Sequence, residues 1–183
     1  MTPKIKVYLN KEETEMKIVK KLVLFWLMFS LTLAIPTYIP QHHMLGKILL
    51  PMHLTVLLSA YIVGGVQAMI IGASTPIIRH LVLGFPAWEV AFPMSFELAV
   101  YGLVAGVLYS RSNKRGKDIV KSLLIAMLAG RIVWVVANII MGHGYTFVMF
   151  VNDMIANALP GVILQLFVVS LVVYSLKKHN KIK

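Results

Sequence analysis

The chain has 183 residues, of which 58% are apolar and only 14% are charged, and its mean hydropathy is +0.80. Soluble domains average about 45–50% apolar and about 25% charged residues, so this composition indicates a membrane protein. Because one membrane-spanning helix needs about 20 residues, the length allows about six or seven spans and excludes a fused ATPase or a second large domain. The absence of cysteine excludes disulfides and thiolate chemistry.

Six apolar runs follow a polar leader of mixed charge, and each is read as a transmembrane helix. A signal peptide at the first run is disfavoured by the long charged leader and by the missing cleavage site. The runs cover residues 18–35, 48–63, 66–83, 92–109, 119–141 and 151–176. The sequence therefore predicts an all-α membrane protein with six transmembrane helices, divided into a cytoplasmic segment 1–17, a transmembrane domain 18–176 and a basic cytoplasmic tail 177–183.

The basic residues predict the orientation. All 18 lysines and arginines except Lys47, Arg79 and Arg131 fall within residues 4–21, 111–121 and 177–183. With six spans these segments lie on one side, and an excess of lysine and arginine marks the cytoplasmic side. The net charge of +11 is thereby explained by topology and not by nucleic-acid binding. We expect a multi-pass protein of a cell membrane, in contact with lipid, with both termini in the cytoplasm.

Polar side chains lie inside five of the predicted spans, where they are costly unless they face a cavity or a partner. With a rise of about 1.5 Å per residue, His53, Glu97 and Asn157 lie roughly 8–9 Å below the outer ends of their spans, and Arg79 about 6 Å. Arg131 is near the middle of its span, but its long side chain can extend outward. These groups are predicted to meet in one layer that opens to the outside.

Three more side chains share a helix face with members of this layer. Tyr101 lies four residues after Glu97, and Trp134 and Asn138 lie three and seven residues after Arg131. The predicted substrate-binding residues are His53, Arg79, Glu97, Tyr101, Arg131, Trp134, Asn138 and Asn157.

A structural interpretation competes with the binding interpretation, because polar residues in membrane helices often stabilise packing. Glu97 and Arg131 could form a purely structural ion pair. Gln165, at the end of a polar stripe on the sixth helix, is assigned to helix packing. Gly102 and Gly106 are predicted to form a close-packing face on the fourth helix.

Catalysis and metal binding have little support in the sequence. The chain carries no hydrolase or zinc motif and no phosphate-binding loop, so it cannot hydrolyse ATP by itself. A small intramembrane enzyme that uses Glu97 and His53 as an acid/base pair remains an alternative, as does a structural membrane subunit. No metal site and no cofactor are assigned, although histidines occur at His42, His43, His53, His80 and His143.

Five motifs, in their order and spacing, resemble a known family. They are LLPMH at 49–53, PIIR at 76–79 with GFP at 84–86, FELAVYGL at 96–103, MLAGRIVW at 127–134 and NALPG at 157–161. In this order they resemble the substrate-binding S components of energy-coupling factor (ECF) vitamin transporters, and the likeness extends over roughly residues 45–169.

The resemblance implies a vitamin ligand bound at the outer side and a complex with a transmembrane coupling subunit and two cytoplasmic ATPases. In this family the first helix carries a small-x-x-x-small face for the coupling subunit, and Ser30 and Ala34 are the nearest match. The motif set is most similar to the branch that includes pantothenate, folate, riboflavin and pyridoxine-type carriers. Because guanidinium groups bind carboxylates, Arg79 and Arg131 favour an anionic ligand, with pantothenate as the first candidate.

The connection at 36–47 is predicted to act as a lid above the pocket, as the resemblance also implies. Two prolines stiffen its start, Gly46 can act as a hinge, and twelve residues are long for a helical connection. An ordinary extracellular loop is the alternative.

Overall fold

The structure, a computed structural model, describes residues 3–39, 50–142 and 159–179, with side chains from residue 15 onward in the first stretch and from 161 in the last. Within these ranges every regular element is helical. The helices are α1 (Pro3–Tyr38), α2 (Pro51–Ile62), α3 (Gly65–Leu83), α4 (Trp88–Ser110), α5 (Gly116–Ile140) and α6 (Leu159–Lys178). The predicted all-α class and the count of six helices are confirmed.

Five of these helices are long and apolar enough to cross a membrane, by length and composition and within the described residues. The exception is α2, which is apolar but has only 12 residues. It begins at Pro51 because proline suits the first position of a helix, where its missing N–H costs no bond. Leu50 precedes it in a left-handed conformation with φ of 40°.

The first helix is longer than predicted. α1 runs without a break from Pro3 to Tyr38, so the predicted end at residue 35, before Pro36, is wrong. A proline in the last turn removes a single backbone bond, and the N–H of Ile39 still donates to the Ile35 carbonyl at 3.2 Å. The leader is helical because lysine and glutamate are good helix formers. The predicted boundary between a cytoplasmic segment 1–17 and a transmembrane domain that begins at residue 18 therefore remains a prediction about where this helix enters the membrane.

Two predictions fall partly or wholly outside the described residues. The first three residues of the predicted lid, 36–38, belong to α1, and residues 40–49 lie outside the described part. Asn157 also lies outside it, as does the beginning of the predicted sixth span.

The backbones of α3 and α4 touch at glycines. A Cβ on Gly102 would lie 2.5 Å from the backbone of Ala68, and one on Gly106 would lie 2.4 Å from the Cα of Gly65. A Cβ on Gly72 would meet the Leu98 carbonyl oxygen at 2.4 Å. The predicted close-packing face at Gly102 and Gly106 is confirmed, and it leaves the two helices no room to slide without a clash.

The core of the bundle lies between α2, α3, α4 and α5. Leu57, Ile71, Leu98 and Leu123 are fully buried there. Toward the inner end, the hydroxyl of Tyr61 bonds the Ser122 hydroxyl at 2.7 Å, which ties α2 to α5. In contrast, α1 leaves most of its apolar surface exposed. The four packed helices therefore form the rigid scaffold on which the polar layer is built.

Candidate ligand-binding site

Glu97 is the centre of a polar cluster inside the bundle. It lies in the middle of α4, and its side chain is 2% exposed. The Tyr101 hydroxyl, one helical turn further along, donates to Glu97 Oε1 at 2.8 Å. Arg131 from α5 brings its Nε to 3.3 Å from the same oxygen. A carboxylate so deeply buried requires such partners, because an uncompensated charge in a bundle core is strongly destabilising.

His53 from α2 completes the cluster. Its Nε2 lies 3.6 Å from Glu97 Oε2, and its ring meets the Tyr101 ring edge-on with centroids 5.7 Å apart. The histidine is buried, and its Nδ1 has no hydrogen-bond partner. Three helices thus each contribute an ionisable side chain to one contact group, which we call the Glu97 cluster: His53, Glu97, Tyr101 and Arg131.

The members of the Glu97 cluster differ in accessibility. The side chains of Glu97 and His53 are 2% and 4% exposed, whereas that of Arg131 is 20% exposed. Arg131 is therefore the most exposed member of the Glu97 cluster, whereas Glu97, Tyr101 and His53 are buried.

Gly130 is part of the site, although the sequence analysis gave it no role. A Cβ at this position would lie 2.1 Å from Cε1 of the Tyr101 ring. The glycine therefore makes room for the ring that hydrogen-bonds to Glu97. A glycine in the middle of an apolar helix, directly before Arg131, was the signal that could have indicated a close contact.

The guanidinium group of Arg79 forms its hydrogen bonds with α1 and not with the Glu97 cluster. Its Nη1 donates to the Leu33 carbonyl and, at 2.9 Å, to the Thr37 hydroxyl, both in the last turns of α1. A cation at the C-terminal end of a helix is stabilised by the exposed carbonyls and the helix dipole. Arg79 is thus occupied as a cap on α1.

Two further predicted residues lie above Arg131 on α5. Trp134 is partly buried and packs against the apolar core. Asn138 is buried, and its amide donates to the Trp134 carbonyl at 2.9 Å. Both side chains therefore share the face of Arg131, as the spacing predicted.

Gln165 on α6 is not the simple packing residue that the sequence indicated. Its side chain is 1% exposed, yet its Nε2 has no hydrogen-bond partner. A polar residue that stabilises helix packing does so through a hydrogen bond, which this nitrogen lacks. A buried unsatisfied amide costs about 1–3 kcal/mol, so its presence requires another explanation.

Metal binding has no geometric basis in the described residues. Nowhere in 3–39, 50–142 and 159–179 do three histidine, aspartate or glutamate side chains come close enough to hold a metal ion. The nitrogen Nδ1 of His80 bonds the Pro86 carbonyl oxygen at 2.9 Å. His42, His43 and His143 lie outside the described part of the chain.

Comparison with known proteins adds one result. The family model described as "ECF transporter, substrate-specific component" matches residues 20–177. Neither the comparison with curated proteins nor the comparison with solved structures returned a match. The match covers all six helices except the first part of α1 and the last residue of α6.

Proposed function

The chain belongs to the family of substrate-specific components of ECF transporters, and from this premise we propose that it binds a vitamin or vitamin precursor at the outer side of a prokaryotic plasma membrane for ATP-driven uptake. Members of this family are substrate-binding membrane subunits that act in a complex with a membrane-embedded coupling component and ATPases. The chain is therefore a transporter subunit and not an enzyme, and the acid/base hypothesis for Glu97 and His53 is set aside.

The observation that carries the proposal is the Glu97 cluster with its single accessible member. Arg131 is held from behind by Glu97, and Glu97 is held in turn by Tyr101 and His53. Such an arrangement pre-orients a guanidinium group, which reduces the entropy lost when a ligand binds. We infer that Arg131 contacts the ligand and that Glu97 and Tyr101 position it. The unpartnered Nδ1 of His53 supports a further polar contact.

The ligand that we propose first is pantothenate, with folate, riboflavin and pyridoxine-type vitamins as alternatives. The charge argument now depends on Arg131 alone, because Arg79 is bound to α1. A carboxylate would approach Arg131 through nitrogens other than Nε, which faces Glu97. A ligand with hydroxyl or amide groups could bond His53 Nδ1 as well. Trp134, Asn138 and Asn157 are retained in the proposed binding set.

Docking of the coupling subunit is proposed at α1. Ser30 and Ala34 are exposed and lie one turn apart on the same face as Trp26 and Leu27, which are also exposed. Small residues allow a partner helix to approach closely, and the apolar neighbours are suited to contact within a membrane. The near absence of burial along the span of α1 supports this assignment.

Mass spectrometry of small molecules that co-purify with the protein tests the ligand directly, since tight binders are retained. Isothermal titration calorimetry in detergent with the four candidate vitamins then gives the affinities. Arg111→Ala, at the inner end of α4, serves as a control that removes an arginine far from the cluster. Binding of none of the four compounds at high micromolar concentration, and no retained ligand, would refute the vitamin assignment.

The docking proposal is tested by co-purification with the coupling subunit and the ATPases. Ala34→Trp should abolish the complex by blocking close approach. Leu124→Trp, at an exposed position on α5, is the matched control and should leave the complex intact. Equal yields of complex from both variants would show that α1 is not the docking face.

A further inference from the structure

A second candidate site lies at the other end of the bundle, away from the Glu97 cluster. A groove of about 600 Å³ runs along α6 and meets the first turn of α5. Its wall is almost entirely apolar, and its most exposed residue is Phe167, at 67%. The side chains that define it are Ile163, Phe167, Leu171 and Tyr174 of α6 and Ile119 and Val120 of α5. We call this feature the α5–α6 groove.

The groove is long and open along one side. Eleven helical steps separate Ile163 from Tyr174, which corresponds to a length of about 16 Å. The apolar side chains of α6 that line it, Ile163, Phe167, Leu171 and Tyr174, are each more than half exposed. An acyl chain of the surrounding bilayer can therefore enter the groove from the side and lie along α6.

The end of the groove at the predicted cytoplasmic side is positively charged. Lys117 lies one turn before Val120 on α5, and Lys178 lies one turn after Tyr174 on α6. Lys177 donates from its Nζ to the Lys114 carbonyl oxygen, which joins the end of α6 to the connection before α5. This bond holds the two sides of the groove together at its mouth.

Basic residues outnumber acidic residues at this mouth. The one acidic residue within 111–121 is Asp118, and its carboxylate accepts the N–H of Arg115 at 2.9 Å as part of the helix cap. The α5–α6 groove is apolar and has lysines at its end, so it suits a molecule with a long hydrocarbon tail and an anionic head. Tyr174, at the boundary between the two, is typical of the membrane interface.

We propose that the α5–α6 groove binds an anionic phospholipid of the inner leaflet, with an acyl chain along α6 and the phosphate beside Lys117, Lys177 and Lys178. This site is separate from the vitamin site, and the proposal does not depend on the proposed function. The lipid fills the space between two helices that otherwise meet only at their apolar edges, and it thereby stabilises the position of α6 against α5.

Native mass spectrometry of the delipidated protein tests the proposal with two added lipids that have identical acyl chains, phosphatidylglycerol and phosphatidylethanolamine. We expect phosphatidylglycerol to bind more tightly. Lys117→Gln with Lys178→Gln should weaken its binding by about twenty-five-fold, at about fivefold for each lysine near the anionic head. Val120→Trp, which fills the groove, should abolish the retention of both lipids.

The matched control is Lys17→Gln with Lys20→Gln, which removes the same charge from α1. These residues lie far along the chain from the groove, so phosphatidylglycerol binding should stay within about twofold of the unmodified protein. Thermal unfolding of each variant checks that it is folded. Equal binding of the two lipids, or an equal loss in the control, would overturn the site and leave only a nonspecific attraction of basic residues to anionic membranes.

Discussion

Replacement of Arg131 by alanine separates a ligand contact from a structural ion pair. The change removes the most exposed member of the Glu97 cluster and leaves the carboxylate with its hydrogen bond from Tyr101 and its contact with His53. If Arg131 holds the ligand, its loss removes a charge-assisted contact of about 1.5–3 kcal/mol. Ligand affinity should then fall by about 10–100-fold.

The same substitution also has a cost in stability, which the structure limits. Removal of one partner from a fully buried ion pair costs about 3–5 kcal/mol. Arg131 is 20% exposed, and Glu97 retains two partners, so we expect a loss of about 2 kcal/mol in the free energy of unfolding. Glu97→Gln in addition should recover about 1 kcal/mol relative to the sum of the single changes, because the two residues are in contact.

The assay combines calorimetry of ligand binding with unfolding in detergent for the two single variants and the double variant. In the double variant we expect stability to recover and affinity to stay low, because a ligand contact cannot be restored by neutralising Glu97. Recovery of affinity together with stability would contradict the assignment of Arg131 as a contact. Affinity in Arg131→Ala equal to that of the unmodified protein would refute it outright.

Three further substitutions test the interpretation of the scaffold. Gly130→Ala should lower the free energy of unfolding by about 2 kcal/mol, because its Cβ would clash with a buried tyrosine ring. The control Gly116→Ala places its Cβ in open space and should be neutral. Thermal unfolding measures both. Gln165→Leu should raise the free energy of unfolding of the ligand-free protein by about 1 kcal/mol, because it removes an unsatisfied amide. The control Gln67→Leu should lower it, because that amide donates to a carbonyl and accepts from a lysine. Equal effects of the two substitutions would contradict the reasoning. Arg79→Met should increase hydrogen exchange in the last turns of α1 and change ligand affinity by less than about threefold; an affinity loss as large as that of the Arg131 variant would return Arg79 to the site.

Helix depth could be predicted from the sequence, but helix rotation could not. The rise per residue put His53 and Glu97 at one depth, and the long side chain of Arg131 was expected to reach that depth. In the structure, His53 and Arg131 both contact Glu97. The same calculation assigned Arg79 to that layer, yet its side chain turns toward α1. A count of residues along a helix gives the height of a side chain in the membrane. Its direction depends on which neighbours pack around the helix, and that information is tertiary.

Predictions from the local sequence also failed at residues whose role depends on a tertiary contact or on a position near the end of a helix. The proline rule ended the first helix before Pro36, but a proline in the last turn removes only one bond. Gly130 carried no role in the sequence because its use depends on a ring from another helix. Gln165 was assigned to packing from its spacing, and only the structure reveals that its amide nitrogen lacks a partner.

The packing divides the molecule into a rigid part and a less constrained helix, and this division bears on coupling between the ligand and the partner subunits. The site residues lie on α2, α4 and α5, and the glycine contacts between α3 and α4 leave no space for α4 to shift against α3. The exposed face of α1 carries the proposed docking residues, and Arg79 attaches the outer end of α1 to this rigid part. A change in ligand occupancy therefore reaches the docking face most directly through the outer end of α1, because the hydrogen bonds of Arg79 link α1 to α3 at that end. The contact between Lys21 and Gln67 links the same two helices near the inner end.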